Sequence, residues 1–202
     1  IEEAIYYYRV RASNSAAGYS DYSNQTSATV LKAPSALSAT VISSSQIDLA
    51  WMDNSNLENG YKIERKTDSA GYQLLETLGV DMNAYTDIGL SDGIRYYYRL
   101  RAYNQSGNSS YTDEVSGITI LKPPSALNVA SEGPTQARLT WTNNSVTQSN
   151  VAIERKVGEG GSYSLYVSLS GSAASYLDSS LQAGNTYYYR VKAYNTFASS
   201  DY

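Results

Sequence analysis

Tyr97, Arg99, Arg101 and Tyr103 alternate along one run of the chain, and Tyr188, Arg190, Lys192 and Tyr194 repeat the arrangement further on. Side chains two apart on an extended backbone share a face, so each set offers two phenol rings and two cations on one surface. Such groups can stack on sugars or on a neighbouring protein. They equally make a solvated face held by cross-strand charge pairs, worth roughly a few tenths of a kcal/mol each. The oxygen-rich stretch Asp53-Asn54-Ser55-Asn56-Leu57-Glu58-Asn59-Gly60 raises calcium as a second chemistry. Its spacing does not match the loop that supplies alternate ligands and a closing Glu. Its counterpart from Thr142 to Asn150 contains no acid, so a plain loop and no metal site are expected. Asn24, Asn104, Asn108 and Asn143 each open an Asn-x-Ser/Thr glycosylation sequon.

The inventory removes other chemistries. With His 0 and Cys 0, Cys/His zinc sites, cysteine nucleophiles and Ser-His-Asp triads are excluded. General acid–base work would fall to Asp or Glu, and no carboxylate pair, phosphate loop or nucleophile constellation stands out. No catalytic residue, no enzymatic activity and no cofactor are therefore expected. A net charge of −4 argues against nucleic acid, which needs a concentrated basic surface. No apolar run reaches the roughly 18 residues of a membrane span, so no membrane insertion is expected, and no N-terminal stretch reads as a signal peptide. Tyr is 21 against one Phe, a hydroxyl-rich make-up that leans towards secretion.

The elements that must position these residues are written in a repeat. Tyr96-Tyr97-Tyr98-Arg99-Leu100-Arg101-Ala102 recurs as Tyr6-Tyr7-Tyr8-Arg9-Val10-Arg11-Ala12 and as Tyr187-Tyr188-Tyr189-Arg190-Val191-Lys192-Ala193, at spacings of 90 and 91 positions. Self-similarity at a fixed period sets the architecture before any single residue is given a role. Lys32-Ala33-Pro34-Ser35 and Lys122-Pro123-Pro124-Ser125 punctuate it. Proline lacks a backbone donor and fixes φ, so boundaries are placed at both. Residues 33–122 read as seven short strands: 37–42, 46–52, 60–66, 72–78, 84–87, 94–104 and 112–121. Turns of Gly, Asn, Asp and Ser separate them, which indicates a sandwich or barrel. Residues 123–202 repeat the series and stop where a seventh strand is due. Residues 1–32 hold two strand-like runs, Ile5 to Ser13 and Gln25 to Leu31, with Tyr6, Tyr8, Val10 and Ala12 on one face.

Leu90-Ser91-Asp92-Gly93-Ile94-Arg95-Tyr96 resembles the fibronectin type III signature, in which a Leu six positions before a Tyr forms the tyrosine corner. Leu181 and Tyr187 match it as well, while Ile1-Glu2-Glu3-Ala4-Ile5 before Tyr6 lacks the Gly turn. Trp51 and Trp141 match the family's core Trp, and Pro34 and Pro124 its domain-opening Pro. The loop wording resembles repeats of large secreted bacterial surface proteins. The resemblance implies an all-β chain of tandem immunoglobulin-like seven-stranded β-sandwiches in a linear array. Residues 1–32 would be the last two strands of one domain, 33–122 a complete domain, and 123–202 a domain lacking its last strand. Trp51, Trp141, Tyr96 and Tyr187 would be core, with their Tyr hydroxyls on backbone partners. Lys62, Glu64 and Lys66 would lie alongside the Tyr/Arg run.

The expected function is a non-enzymatic extracellular spacer within a cell-surface or extracellular fibre. Its expected partners are neighbouring copies or flanking domains of the same protein. The alternatives are an adhesion module using the Tyr/Arg face on surface polysaccharide or another extracellular protein, and accessory domains of a secreted glycoside hydrolase. The incomplete ends read as a window on a longer repeat protein; strand donation between copies is the competing reading.

Overall fold

Strict alternation of apolar and polar residues becomes strand along most of the chain. The computed structural model describes residues 3–202, so Ile1 and Glu2 of the first predicted corner lie outside the described residues. The strands run in the order β1 (Ala4–Tyr8), β2 (Ser13–Asn14), β3 (Gly18–Tyr19), β4 (Thr26–Val30), β5 (Ser35–Val41) and β6 (Gln46–Met52). Then come β7 (Gly60–Thr67), β8 (Gln73–Leu78), β9 (Ala84–Ile88), β10 (Arg95–Asn104), β11 (Gly107–Asn108) and β12 (Val115–Ile118). The series closes with β13 (Ser125–Gly133), β14 (Gln136–Thr142), β15 (Asn150–Val157), β16 (Ser164–Ser170), β17 (Ser175–Asp178) and β18 (Tyr187–Tyr194). The hydrogen-bonded orders are β5-β6-β9 and β11-β10-β7-β8, with β12 on β10, and further on β13-β14-β17 and β16-β15-β18. Each pair of sheets makes a β-sandwich, and no helix occurs among the described residues.

Two compact units divide the chain. The first comprises Ile1–Ala39, Leu49–Tyr85 and Tyr97–Ser116. In it β1 pairs antiparallel with β4, from Ala4 opposite Val30 to Tyr8 opposite Thr26. The face that carries Tyr6, Tyr8 and Val10 is open: they are 44%, 56% and 72% exposed. Among the described residues β1 and β4 form a sheet of their own, and two strands alone have no second layer against which to bury that face. The predicted strand from Ile5 to Ser13 also breaks after Tyr8, because serine hydroxyls replace the ladder. The N–H groups of Val10 and Ala12 donate to Ser23 Oγ and Ser20 Oγ. Leu100 and Ala102 donate to Thr112 Oγ1 and Ser109 Oγ in the same way, which is why β12 begins at Val115 rather than at Thr112. The core of this unit holds Leu49, Trp51, Tyr61, Ile63, Tyr98 and Leu100, with Trp51 edge-on to Tyr61 at 5.6 Å. The Glu3 carboxylate accepts hydrogen bonds from the Ser55 hydroxyl and the Asn56 N–H.

The second unit comprises Thr40–Asp48, Thr86–Tyr96 and Gly117–Tyr202. Leu139, Trp141, Val151, Ile153 and Val191 form its core, flanked by Val167, Leu169, Tyr176 and Tyr189. The hydroxyls of Tyr96 and Tyr187 accept the backbone N–H groups of Ser91 and Gln182, at 3.0 and 2.9 Å, so both copies of the corner use the tyrosine oxygen to hold the preceding turn. Tyr96 is buried, whereas Tyr187 is half-buried. Gly93 (φ 64) packs tightly: a Cβ there would stand 2.3 Å from Thr147 Oγ1. That hydroxyl donates to the Asp92 carbonyl at 3.0 Å.

Candidate functional site

The pairing of β7 with β10 places Lys62, Glu64 and Lys66 beside Tyr97, Arg99, Arg101 and Tyr103. Glu64 is the hub. Its Oε2 accepts from both Nε and Nη2 of Arg99, at 2.9 and 2.7 Å. Its Oε1 accepts from the Tyr111 hydroxyl and lies 3.7 Å from Arg101 Nη2. Burial alone would raise the Glu64 pKa, but the Tyr111 hydroxyl and Arg99 outweigh it and hold the carboxyl below its usual value. The Arg99 guanidinium sits between two rings, 3.9 Å from the centroid of Tyr72 and 3.9 Å from that of Tyr111. Lys66 bridges the rings of Tyr72 and Tyr97 at 4.7 and 4.8 Å and pairs with Glu114 at 2.8 Å. Tyr97 donates to Asp68 at 2.6 Å, and Lys62 lies over Tyr103.

The C-terminal repeat builds the same ladder. Arg190 donates to Glu154 Oε2 at 2.8 and 2.6 Å and lies between Tyr163 and Tyr202, at 4.4 and 3.8 Å from their centroids. Lys192 stands 3.9 Å from Glu154 and over Tyr202, and Lys156 over Tyr188. Tyr194 shares a hydrogen bond with Ser168. Near the N-terminus Arg9 stacks on Tyr22 and Arg11 on Tyr19, each at 3.8 Å. All eight predicted face residues thus lie on such ladders, and their cations are stacked or paired with groups of the same repeat. Sequence reasoning missed the rings that complete the stacks, Tyr72, Tyr111, Tyr163 and Tyr202. Tyr72, at the head of the predicted strand 72–78, falls just before β8, and Tyr111, Tyr163 and Tyr202 likewise stand outside the strands, where no periodicity marks them.

The sequons differ in setting. Asn24 and Asn108 are exposed. Asn104 Nδ2 donates to the Leu57 carbonyl at 3.0 Å. Asn143 is half-buried, with Nδ2 on the carbonyls of Gly171 and Ala173 and Oδ1 accepting from Trp141 Nε1.

The acidic stretch also looks different in three dimensions. Asp53 and Glu58 are joined by Asp81 from the turn after β8, and oxygens of all three carboxylates lie within 4.8 Å of one another. Asp81 takes a left-handed φ of 59, a conformation that Asp tolerates better than most side chains. Sequence spacing concealed this third acid, which is 23 positions from Glu58.

Comparison with known proteins places this geometry in a family. The sequence profile of the fibronectin type III domain matches residues 32–118. A two-domain fibronectin type III segment of chicken tenascin superposes with a TM-score of 0.71 at 18% identity, covering 84% of this chain and 95% of that one. A Kelch domain-containing protein of Sulfurisphaera tokodaii is 28% identical over 182 residues, 87% of this chain. Fibronectin type-III domain-containing protein 3a of Gallus gallus is 27% identical over 160 residues, 74% of this chain. The chain spans only 24% and 13% of the lengths of these two relatives. The matched profile thus assigns residues 32–118 to the fibronectin type III domain, and with the sandwiches and the paired tyrosine corners in hand, the tenascin superposition gives the chain the fold of two such domains in tandem.

Proposed function

We propose that the chain is a non-enzymatic spacer of an extracellular repeat protein, part of a cell-surface or extracellular fibre, flanked by further domains of the same protein. The domains proposed are residues 1–32, 33–122 and 123–202, divided at the two proline punctuations. The observation that supports the spacer reading is the closed character of the Tyr/Arg ladders. Arg99 and Arg190 are each held by a glutamate and two tyrosine rings of their own repeat. A face whose charges are already paired stiffens its sheet and offers a ligand few unpartnered groups. The test is a glycan array probed with the whole chain, beside Tyr97→Ala and Arg99→Ala. The spacer reading expects no specific retention of any of them, with the substitutions lowering stability instead. Retention by the unaltered chain that either substitution abolishes would move the function to adhesion.

Adhesion is the second reading, favoured by one feature of the C-terminal repeat. There Lys192 and Tyr194 line an open hollow together with Phe197, whose ring is 64% exposed, and exposed aromatic rings beside cations suit sugar faces.

A further inference from the structure

We propose that Asp53, Glu58 and Asp81 bind a calcium ion within the central repeat. The three carboxylates present oxygens mutually within 4.8 Å. Oxygens bound to one Ca2+ at roughly 2.3–2.6 Å stand at most about 5 Å apart, so one ion can reach all three. Among the described residues no Lys or Arg pairs with any of these acids, and like charges held this close repel one another.

An independent observation comes from two buried atoms aimed into the cluster. Glu58 is only 8% exposed, yet its Oε2 has no hydrogen-bond partner. Its Oε1 receives only a long contact, 3.5 Å, from the Asp81 N–H. The Tyr61 hydroxyl is fully buried and faces the Asp53 carboxylate, but the two make no well-aligned hydrogen bond. Buried polar atoms are almost always satisfied in native proteins, and those left over point to a bound water or ion. A cation would serve the carboxylate and accept the phenol oxygen as a neutral ligand.

The C-terminal repeat carries amides at the same position, and there too one buried oxygen, Gln148 Oε1, is without a partner. Asn143, Gln148 and Ser172 stand where the central repeat has Asp53, Glu58 and Asp81. There Asn143 Nδ2 donates to the carbonyls of Gly171 and Ala173 at 3.2 and 3.0 Å, and Gln148 Nε2 donates to Gly171 at 2.5 Å. Amide N–H groups from two side chains thus converge on the turn and close it. In the central repeat both amides are replaced by carboxylates, which have no hydrogen to donate. Trp141 Nε1 finds Asn143 Oδ1 at 3.1 Å, whereas Trp51 Nε1 is unpartnered and Asp53 Oδ1 faces the Ser55 N–H instead. Two donor side chains became two acceptors, and a positive centre is what restores the balance. Irregular loops and all-oxygen donors suit Ca2+, which tolerates variable geometry, better than Mg2+ with its demand for an octahedron.

The experiment titrates the whole chain, stripped with EDTA, with CaCl2 and separately with MgCl2 by calorimetry, and follows thermal unfolding in both salts. Saturating Ca2+ should raise the Tm of the central repeat by roughly 5 °C or more, with a much weaker response to Mg2+. The double substitution D53N/E58Q installs the amides of the C-terminal repeat. It should abolish the calcium shift while keeping the metal-free fold. Should that variant fail to fold, Asp81→Ser at an exposed position should weaken calcium binding at least tenfold, with the metal-free chain still folded. No heat and no Tm shift at millimolar CaCl2 overturns the proposal. So does calcium binding that survives D53N/E58Q or Asp81→Ser unaltered, and an equal response to MgCl2 overturns the assignment to calcium.

Discussion

Arg155 Nη1 donates to Asp178 at 2.7 Å, and the Asp178 side chain is completely buried. Burial alone would raise the Asp178 pKa. The Ser180 N–H, then Arg155, and then the hydroxyls of Tyr189 and Tyr166 outweigh it and hold the carboxyl at about 2. A carboxyl depressed in the folded state contributes stability that is fully present above its unfolded pKa and is lost as pH falls through the folded one. Stability worth about 2 kcal/mol should therefore vanish between about pH 4 and pH 2. Urea unfolding across that range, followed by tryptophan fluorescence, measures it. Asp178→Asn should cost about 3 kcal/mol at neutral pH by leaving Arg155 unpaired, and should flatten this part of the acid profile. An unchanged slope in the variant would assign the acid sensitivity to other carboxylates.

The ladder around Glu64 carries a second expectation. Its side chain is 13% exposed and serves Arg99 and Arg101 together. Glu64→Gln should destabilise the central repeat by about 2 kcal/mol, more than an exposed ion pair is worth. Because the groups are stacked between rings, the loss should change little between low and high NaCl. A loss that disappears at high salt would mean that the pair is merely a surface one.

Ala36 and Ala126 lie 90 positions apart, and both take a left-handed φ, 52 and 54. Alanine in that region is strained by about 1 kcal/mol, and glycine is not, although glycine adds freedom to the unfolded chain. Ala36→Gly and Ala126→Gly should each stabilise by about 0.5 kcal/mol, and Ala36→Val should destabilise by more than about 1 kcal/mol. Denaturant midpoints measure both signs, and equal effects of Gly and Val would remove backbone strain as the cause.

The sandwich was legible in the sequence because its strands alternate so strictly: Ile47, Leu49 and Trp51 fall on one face, and all three are buried. The tyrosine corner was legible through spacing, since Leu90 and Tyr96 repeat as Leu181 and Tyr187. What the pattern misread were strands whose ladder passes through a hydroxyl. Val10 continues the alternation, but Ser23 takes its N–H group and the strand ends at Tyr8; Thr112 likewise serves Leu100 through its hydroxyl, so that the strand predicted from 112 begins at Val115, and a side-chain acceptor leaves no period-two signal. The ladders were half legible for a related reason. Arg99 and Arg101 sit on a strand and declare their face, while Tyr72 and Tyr111 reach it from outside the strands. Asp81 was hidden in the same way, by a turn that brings it to Glu58 only in the folded chain.

The lack of cysteine, met first as a limit on chemistry, has a mechanical meaning too. Nothing covalent ties one sheet of a repeat to the other. Under tension, once the strands of a repeat part, no cross-link arrests the chain. A stretch of 90 residues then runs out to about 300 Å at full extension, and its load passes to the next repeat.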